Sequence, residues 1–159
     1  MRILPIIYCI SASFLLTNCQ TEDGKGAGKK ASPVFTLLSS RKTGIDFVNK
    51  VDDDKGSNLL LYEYFYNGAG VGIGDFNNDG LDDIFLAGNQ APDKLYLNKG
   101  GLSFVDITAS SGITHDNTWS TGVVVADFND DGYLDIYVCK SGNIQRYSDS
   151  DRENKLYIN

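Results

Sequence analysis

Two stretches of the chain carry oxygen donors at a spacing that suits a hard cation. The first is Asp75-Phe76-Asn77-Asn78-Asp79-Gly80-Leu81-Asp82-Asp83 and the second is Asp127-Phe128-Asn129-Asp130-Asp131-Gly132-Tyr133-Leu134-Asp135. Both read Asp-x-Asn-x-Asp-Gly-x-x-Asp. Side-chain oxygens at positions one, three, five and nine converge if the backbone wraps around one point, and position seven, Leu81 or Tyr133, adds its carbonyl. The glycine at position six, Gly80 or Gly132, permits the sharp turn. Each loop then offers three carboxylates, one amide and one carbonyl, without His or Cys. That set suits calcium rather than zinc or copper. Carboxylates held this close repel one another unless a cation sits among them. The expectation is two Ca2+ sites: Asp75, Asn77, Asp79, Leu81 and Asp83 in one, and Asp127, Asn129, Asp131, Tyr133 and Asp135 in the other. An EF-hand is excluded, because position twelve is Leu86 or Val138 where the EF-hand has Glu. The other reading is a pair of Asx-rich hairpins that use Asp and Asn for turn geometry alone. Two copies at one spacing in matching contexts favour metal. Asp82 and Asp130 flank these positions, as outer partners or as solvated side chains.

The elements that must hold the loops are strands. The run Gly70-Val71-Gly72-Ile73-Gly74 enters the first loop and Ile84-Phe85-Leu86 leaves it; Gly122-Val123-Val124-Val125-Ala126 and Ile136-Tyr137-Val138 flank the second. The unit recurs at an offset of 52 residues over this part. Lys94-Leu95-Tyr96-Leu97-Asn98 recurs as Lys155-Leu156-Tyr157-Ile158-Asn159 at an offset of 61, so the second unit holds nine extra residues in a polar, loop-like stretch at 141–154. Each complete unit reads as four short strands, at 71–75, 83–87, 94–98 and 102–108 in the first. A hairpin turn at Asn98-Lys99-Gly100-Gly101 precedes the last. Four strands per repeat of about fifty residues is propeller-blade arithmetic. No stretch of the mature chain has a helical period. Residues 35–48, with Phe35, Leu37, Leu38, Ile45 and Phe47, are expected to form a strand or a packing arm against the first blade.

The length of 159 residues bounds the chain to one domain at most, and 17 glycines against three prolines suit many tight turns. The net charge of −7 argues against a phosphate-tracking nucleic-acid binder and is compatible with bound cations. Residues 1–18 read as a secretory signal, with Arg2 ahead of an apolar run. That run, residues 3–16, would rise about 21 Å as a helix, short of the roughly 30 Å hydrocarbon core of a bilayer. It ends in Leu16-Thr17-Asn18-Cys19, which resembles the lipobox of bacterial lipoproteins and implies lipidation of Cys19. The alternative is an ordinary signal with an incidental Cys. Residues 19–33 lack large apolar side chains and read as a flexible tether. Of the three cysteines, Cys9 falls in the signal and Cys19 takes the lipid. Cys139 is left without a disulfide partner and is expected to be a buried apolar residue.

The acidic loops entering Asp83-Ile84-Phe85 and Asp135-Ile136-Tyr137 resemble the FG-GAP/VCBS repeat. The resemblance covers residues 66–159 and implies a calcium-binding β-propeller, often of seven blades. Phe35-Thr36-Leu37-Leu38-Ser39-Ser40 with Thr43-Gly44-Ile45-Asp46-Phe47 is similar to the start of VCBS-repeat lipoproteins of Bacteroidetes and their ASPIC/UnbV-type relatives. Phe104-Val105-Asp106-Ile107-Thr108, Gly112-Ile113 and Trp119-Ser120-Thr121-Gly122 fit that subgroup. The expected division is an arm with first strands at 34–66, repeat one at 67–118 and an incomplete repeat two at 119–159. Since rings need four to eight blades, the chain is expected to be an N-terminal fragment of a larger, all-β propeller.

No catalytic set is legible. His115 lies in a polar loop, no Gly-x-Ser-x-Gly elbow is present, and Ser110, Ser111 and Ser120 lack partner patterns. Trp119 and the run Tyr62-Glu63-Tyr64-Phe65-Tyr66 could stack on sugars, though packing between blades is the commoner use of strand aromatics. The resulting expectation is a non-enzymatic, calcium-binding, surface-exposed lipoprotein. It would be anchored in a membrane through lipid at the outer membrane or cell surface, and would act as a binding or adhesion scaffold for a glycan or protein. The rivals are the non-catalytic N-terminal part of a polysaccharide-active or other hydrolytic enzyme, and a purely structural propeller segment.

Overall fold

The computed structural model describes residues 33–159. The signal at 1–18, the lipidation site Cys19 and the tether up to residue 32 lie outside the described residues. Residues Leu37–Asn159 form one compact unit. No described helix is long and apolar enough to cross a membrane.

The unit is nearly all-β. Strands β1 (Val71–Gly74), β2 (Asp83–Leu86), β3 (Lys94–Asn98) and β4 (Phe104–Asp106) form a four-stranded antiparallel meander. A second meander holds β5 (Trp119–Ala126), β6 (Asp135–Ser141) and β7 (Lys155–Tyr157). These are two sheets of a partial propeller, and the strand order follows the sequence in each. Registers match across the repeat: Val71 pairs with Leu86 as Val123 pairs with Val138, and Ile84 with Tyr96 as Ile136 with Tyr157.

The core lies between the two sheets. Alternate residues of a strand share a face, so Phe85 and Leu95 point with Phe76 toward sheet two, where Ile136 and Val138 meet them. The sheets approach closely because β1 is short of side chains on this face. A Cβ on Gly72 would lie 2.8 Å from Val125 Cγ2 and 2.9 Å from Val123 Cγ1. Ile113, from the connection between the sheets, completes the cluster.

Three expectations are corrected. The first concerns the hairpin after β3, which runs on through Ser103. Lys99 N–H donates to Ser103 O at 2.7 Å, and Leu102 sits at φ +61 in the turn. β4 is therefore shorter than the expected strand. The second concerns β6, which extends through Ser141, opposite Trp119, with a bulge in β5 between Ser120 and Gly122. The stretch 141–154 thus begins in a strand and includes a 3-10 turn at Ser150–Arg152. The third is Cys139, which is half-buried rather than buried, because its face of sheet two is open.

Of the two forms expected for the arm, the structure has the packing arm in part: Leu38, Ile45 and Phe47 are half-buried, whereas Phe35 and Leu37 are exposed and do not pack. Its one regular element is a single helical turn, α1 (Ser40–Thr43), closed by Gly44 at φ +78. The arm is tied to the first sheet by side chains. Tyr96 Oη donates to Asp46 Oδ1 at 2.9 Å, and burial together with that carboxylate pushes the Tyr96 phenol up to about 12. Asn49 and Asn89 bond reciprocally, Nδ2 to Oδ1 at 2.8 Å one way and N–H to Oδ1 at 2.9 Å the other. Trp119 packs with Phe65, Tyr62 and Tyr147 and is 1% exposed, so it is a packing residue.

Candidate functional site

The two acidic loops join β1 to β2 and β5 to β6, and they lie side by side. Asn78 Nδ2 donates to Gly132 O at 3.2 Å. Their internal bonding is the same atom for atom. Asp75 accepts N–H bonds from Asp79 at 3.0 Å and Gly80 at 2.7 Å, and Asp127 accepts those of Asp131 at 3.1 Å and Gly132 at 2.8 Å. Asn77 Nδ2 donates to Asp79 Oδ2 at 3.0 Å, as Asn129 Nδ2 does to Asp131 Oδ2 at 2.7 Å. Asp79 Oδ1 accepts the Leu81 N–H, and Asp131 Oδ1 that of Tyr133, both at 2.9 Å. The backbone agrees: Asn78 and Asp130 take φ +55 and +60, and Gly80 and Gly132 take φ +86 and +88. The last two values explain glycine at position six, since a side chain there is strained. The Gly132 N–H is the chief reason the Asp127 carboxyl is held below the usual range.

Position nine differs in kind. Asp83 and Asp135 are both 0% exposed. Asp83 accepts the N–H of Phe76 at 3.0 Å and of Asn98 at 2.8 Å; Asp135 accepts those of Phe128 and Asn159, each at 2.8 Å. Each carboxylate therefore fastens the loop entrance to the end of the third strand. The end of that strand is closed by Asn98 Nδ2 on Asp82 O at 2.9 Å, and by Asn159 Nδ2 on Phe76 O at 2.5 Å. These are fold-building bonds, invisible in a ligand-spacing argument. The matching Asn at 98 and 159, quoted in the repeat alignment, was the available signal.

Within each loop, positions one, three and five are joined by hydrogen bonds to one another or to the same N–H groups. Position nine is buried and bonds the loop entrance and the end of the third strand instead. Among the described residues, no group of three or more Asp, Glu, His or Cys side chains is placed as it stands to hold a metal ion. The carboxylate oxygens are engaged by loop N–H groups, each of which leaves a lone pair on its oxygen. As a donor set, hard oxygens alone fit a calcium-class ion and not a thiolate or imidazole metal.

A second polar constellation joins the sheets at the opposite ends of the strands. Lys140 Nζ donates to Ser120 Oγ at 2.6 Å and to Asp93 Oδ2 at 3.1 Å, and Ser120 Oγ donates to Asp93 Oδ1 at 2.7 Å. Asp93 also accepts the Gly88 N–H at 2.8 Å, the bond that Asn154 makes with the Lys140 N–H at 2.9 Å in the second sheet. Asn89 Nδ2 donates to Ser120 O at 2.9 Å. Asp116 lies 3.7 Å from Lys140 Nζ and bonds Lys155. Burial pushes its carboxyl up, but the bonds from Lys155 and Thr118 and the Lys140 charge outweigh that and hold it at about 2. Ser120 is fully buried, so its pairing with Lys140 is a staple and meets no substrate. His115, Ser110 and the flanking Asp82 and Asp130 are exposed. A cavity of about 200 Å³ between the sheets, lined by Phe76, Leu95, Leu134, Ile136 and Tyr157 among others, has no Asp, Glu, His, Lys or Cys in its wall.

Comparison with known proteins follows these elements. Residues 75–138, from the first loop to the middle of β6, match the FG-GAP-like repeat. Over 98 residues, 62% of its length, the chain is 35% identical to Cartilage acidic protein 1 of Xenopus tropicalis, covering 14% of that protein. Over 72 residues, 45% of its length, it is 38% identical to Cartilage acidic protein 1 of Homo sapiens, covering 11% of it. The chain therefore spans less than two thirds of the curated relatives it matches.

Proposed function

We propose, from the premise that this is an FG-GAP-like repeat protein, that it is a calcium-stabilised module serving as a binding or adhesion scaffold. The observation that carries the reading is the repetition of one oxygen-rich loop, with the same spacing, φ values and internal bonds, in two neighbouring positions. Asp75, Asn77, Asp79 and the Leu81 carbonyl would hold one Ca2+, and Asp127, Asn129, Asp131 and the Tyr133 carbonyl the other. Asp83 and Asp135 would be the ninth-position carboxylates of the two sites, and they also accept backbone N–H bonds. Bound calcium supplies positive charge that offsets clustered carboxylates and fixes loop conformation. In the same reading Cys19 carries lipid and places the module on the outer membrane or cell surface, with a glycan or protein as its ligand.

Isothermal titration calorimetry of the full chain with CaCl2, after chelator treatment, tests the metal. Two calcium ions per chain are expected. Absence of heat with an unchanged melting temperature would leave the loops as turn chemistry alone.

A further inference from the structure

Among the described residues, three dipeptides place a glycine directly after Asn or Asp: Asn67-Gly68, Asp79-Gly80 and Asp131-Gly132. In such a pair the glycine nitrogen can attack the side-chain carbonyl carbon of the residue before it, because no Cβ shields that nitrogen. The three glycines share one backbone twist, at φ +76, +86 and +88. They differ in what holds the N–H and the side chain ahead of it.

In the acidic loops both reactants are held. Gly80 N–H donates to Asp75 Oδ2 at 2.7 Å, and Gly132 N–H to Asp127 Oδ2 at 2.8 Å. A carboxylate acceptor disfavours loss of the proton that must leave before the nitrogen attacks. The carboxylates of Asp79 and Asp131 are each pinned by a backbone N–H and an Asn amide. Asn67-Gly68 has neither restraint. Both residues are exposed, and among the described residues no group accepts the Gly68 N–H or bonds the Asn67 side chain. Apart from its chain neighbours, no heavy atom lies within 4 Å of where a Gly68 Cβ would stand. The Gly68 carbonyl, by contrast, is engaged: it accepts from Asn89 Nδ2 at 3.0 Å. Asn89 is 0% exposed and also bonds Asn49 of the arm and Ser120 O of β5.

We propose that Asn67 is a site of spontaneous deamidation, and that its product loosens the Asn89 junction of arm and sheets. The Gly68 nitrogen loses its proton and bonds to Asn67 Cγ. The side-chain nitrogen leaves as ammonia, which closes a five-membered succinimide. Water then opens the ring at one of its two carbonyls. Opening at Cγ gives an aspartate. Opening at the main-chain carbonyl gives an isoaspartate, whose backbone runs through the former side chain and is one carbon longer. Nothing is oxidised or reduced, and water is the sole co-reactant. The longer backbone draws Gly68 O away from Asn89 Nδ2, and a buried amide that loses an acceptor is destabilising. Neither step involves calcium.

Ageing of the full chain in chelator, at neutral and mildly alkaline pH, tests this. The readout is peptide mapping by mass spectrometry with fragmentation that separates aspartate from isoaspartate. Conversion at Asn67 is expected to be several-fold faster than at any other described asparagine, to quicken with pH, and to give mostly isoaspartate. Asp79 and Asp131 are expected to isomerise several-fold more slowly in the folded chain than in urea. The aged wild type is expected to melt below the fresh protein. Asn67→Gln aged in parallel should hold its midpoint, and fresh Asn67→Asp, which adds the charge without the extra backbone carbon, should melt as fresh wild type does. An Asn67 that converts no faster than the other asparagines would overturn the site. Isomerisation of Asp79 or Asp131 at the same rate folded as in urea would overturn the protection ascribed to the loop bonds. Conversion with an unchanged midpoint, or an equal loss in Asn67→Asp, would overturn the link to Asn89.

Discussion

Lys140 Nζ lies 3.1 Å from the carboxylate of Asp93, and the two side chains are 1% and 2% exposed. Lys140 belongs to β6 and Asp93 to the turn before β3, so this buried ion pair ties one sheet to the other. Ser120 and the Gly88 N–H saturate it. Removing one partner strands the other charge in a site built for two, which costs about 3–5 kcal/mol. Lys140→Met and Asp93→Asn are each expected to lower unfolding free energy by an amount of this order in urea titration. The double variant is expected to lose less than the sum of the two.

The buried position-nine carboxylates and the exposed position-five carboxylates give separable outcomes. Asp83→Asn turns an amide toward a backbone N–H that needs an acceptor. A cost of about 1–3 kcal/mol is expected even in chelator. Asp79→Asn changes an exposed side chain, so its cost in chelator is expected to stay within about 0.5 kcal/mol. Its effect appears as a lost response to calcium. Thermal unfolding of both variants with and without Ca2+ checks the split.

Gly72→Ala tests how tightly the sheets close. The new methyl group would meet Val123 and Val125 at under 3 Å. Overpacking of this kind costs about 1–3 kcal/mol. Gly80→Ala has open space around its Cβ but a φ of +86. It is expected to cost about 1 kcal/mol through backbone strain alone. Urea midpoints of the two variants measure the difference.

Asp116 sets an acid limb. Its carboxyl is depressed to about 2 in the folded chain. A depressed acid contributes stability above its unfolded value, near 3.9, and loses it as pH falls through the folded one. The contribution is therefore expected to fade between about pH 4 and pH 2, and Asp116→Asn should flatten that limb. The shift alone corresponds to about 2.5 kcal/mol. The site is partly open to solvent, so screening reduces this to on the order of 1 kcal/mol. Circular dichroism across that pH range, wild type against variant, checks it.

The sequence carried the sheets well because the repeat aligned them twice. β1, β2 and β3 fall within a residue of their expected bounds, and the acidic loops sit where their spacing placed them. What escaped was decided by tertiary partners. Leu102 read as a strand residue by its apolar side chain, yet the hairpin geometry placed it in the left-handed region. Lys140 and Ser120 looked like ordinary strand positions, and only the meeting of two sheets pairs them with Asp93. Asp83 and Asp135 were legible as ligands by spacing. Their grip on the Asn98 and Asn159 N–H groups came from strand register.

Calcium titration followed by thermal unfolding tests the central claim most directly. At a free calcium concentration about a hundred times the dissociation constant, one site adds about 2.7 kcal/mol. For a chain of this size that shifts the midpoint by roughly 5 °C or more. The account predicts binding of two ions, reduced to one by Asp79→Asn or Asp131→Asn, with the melting temperature rising in step. A midpoint that is indifferent to calcium in the wild-type chain would contradict it.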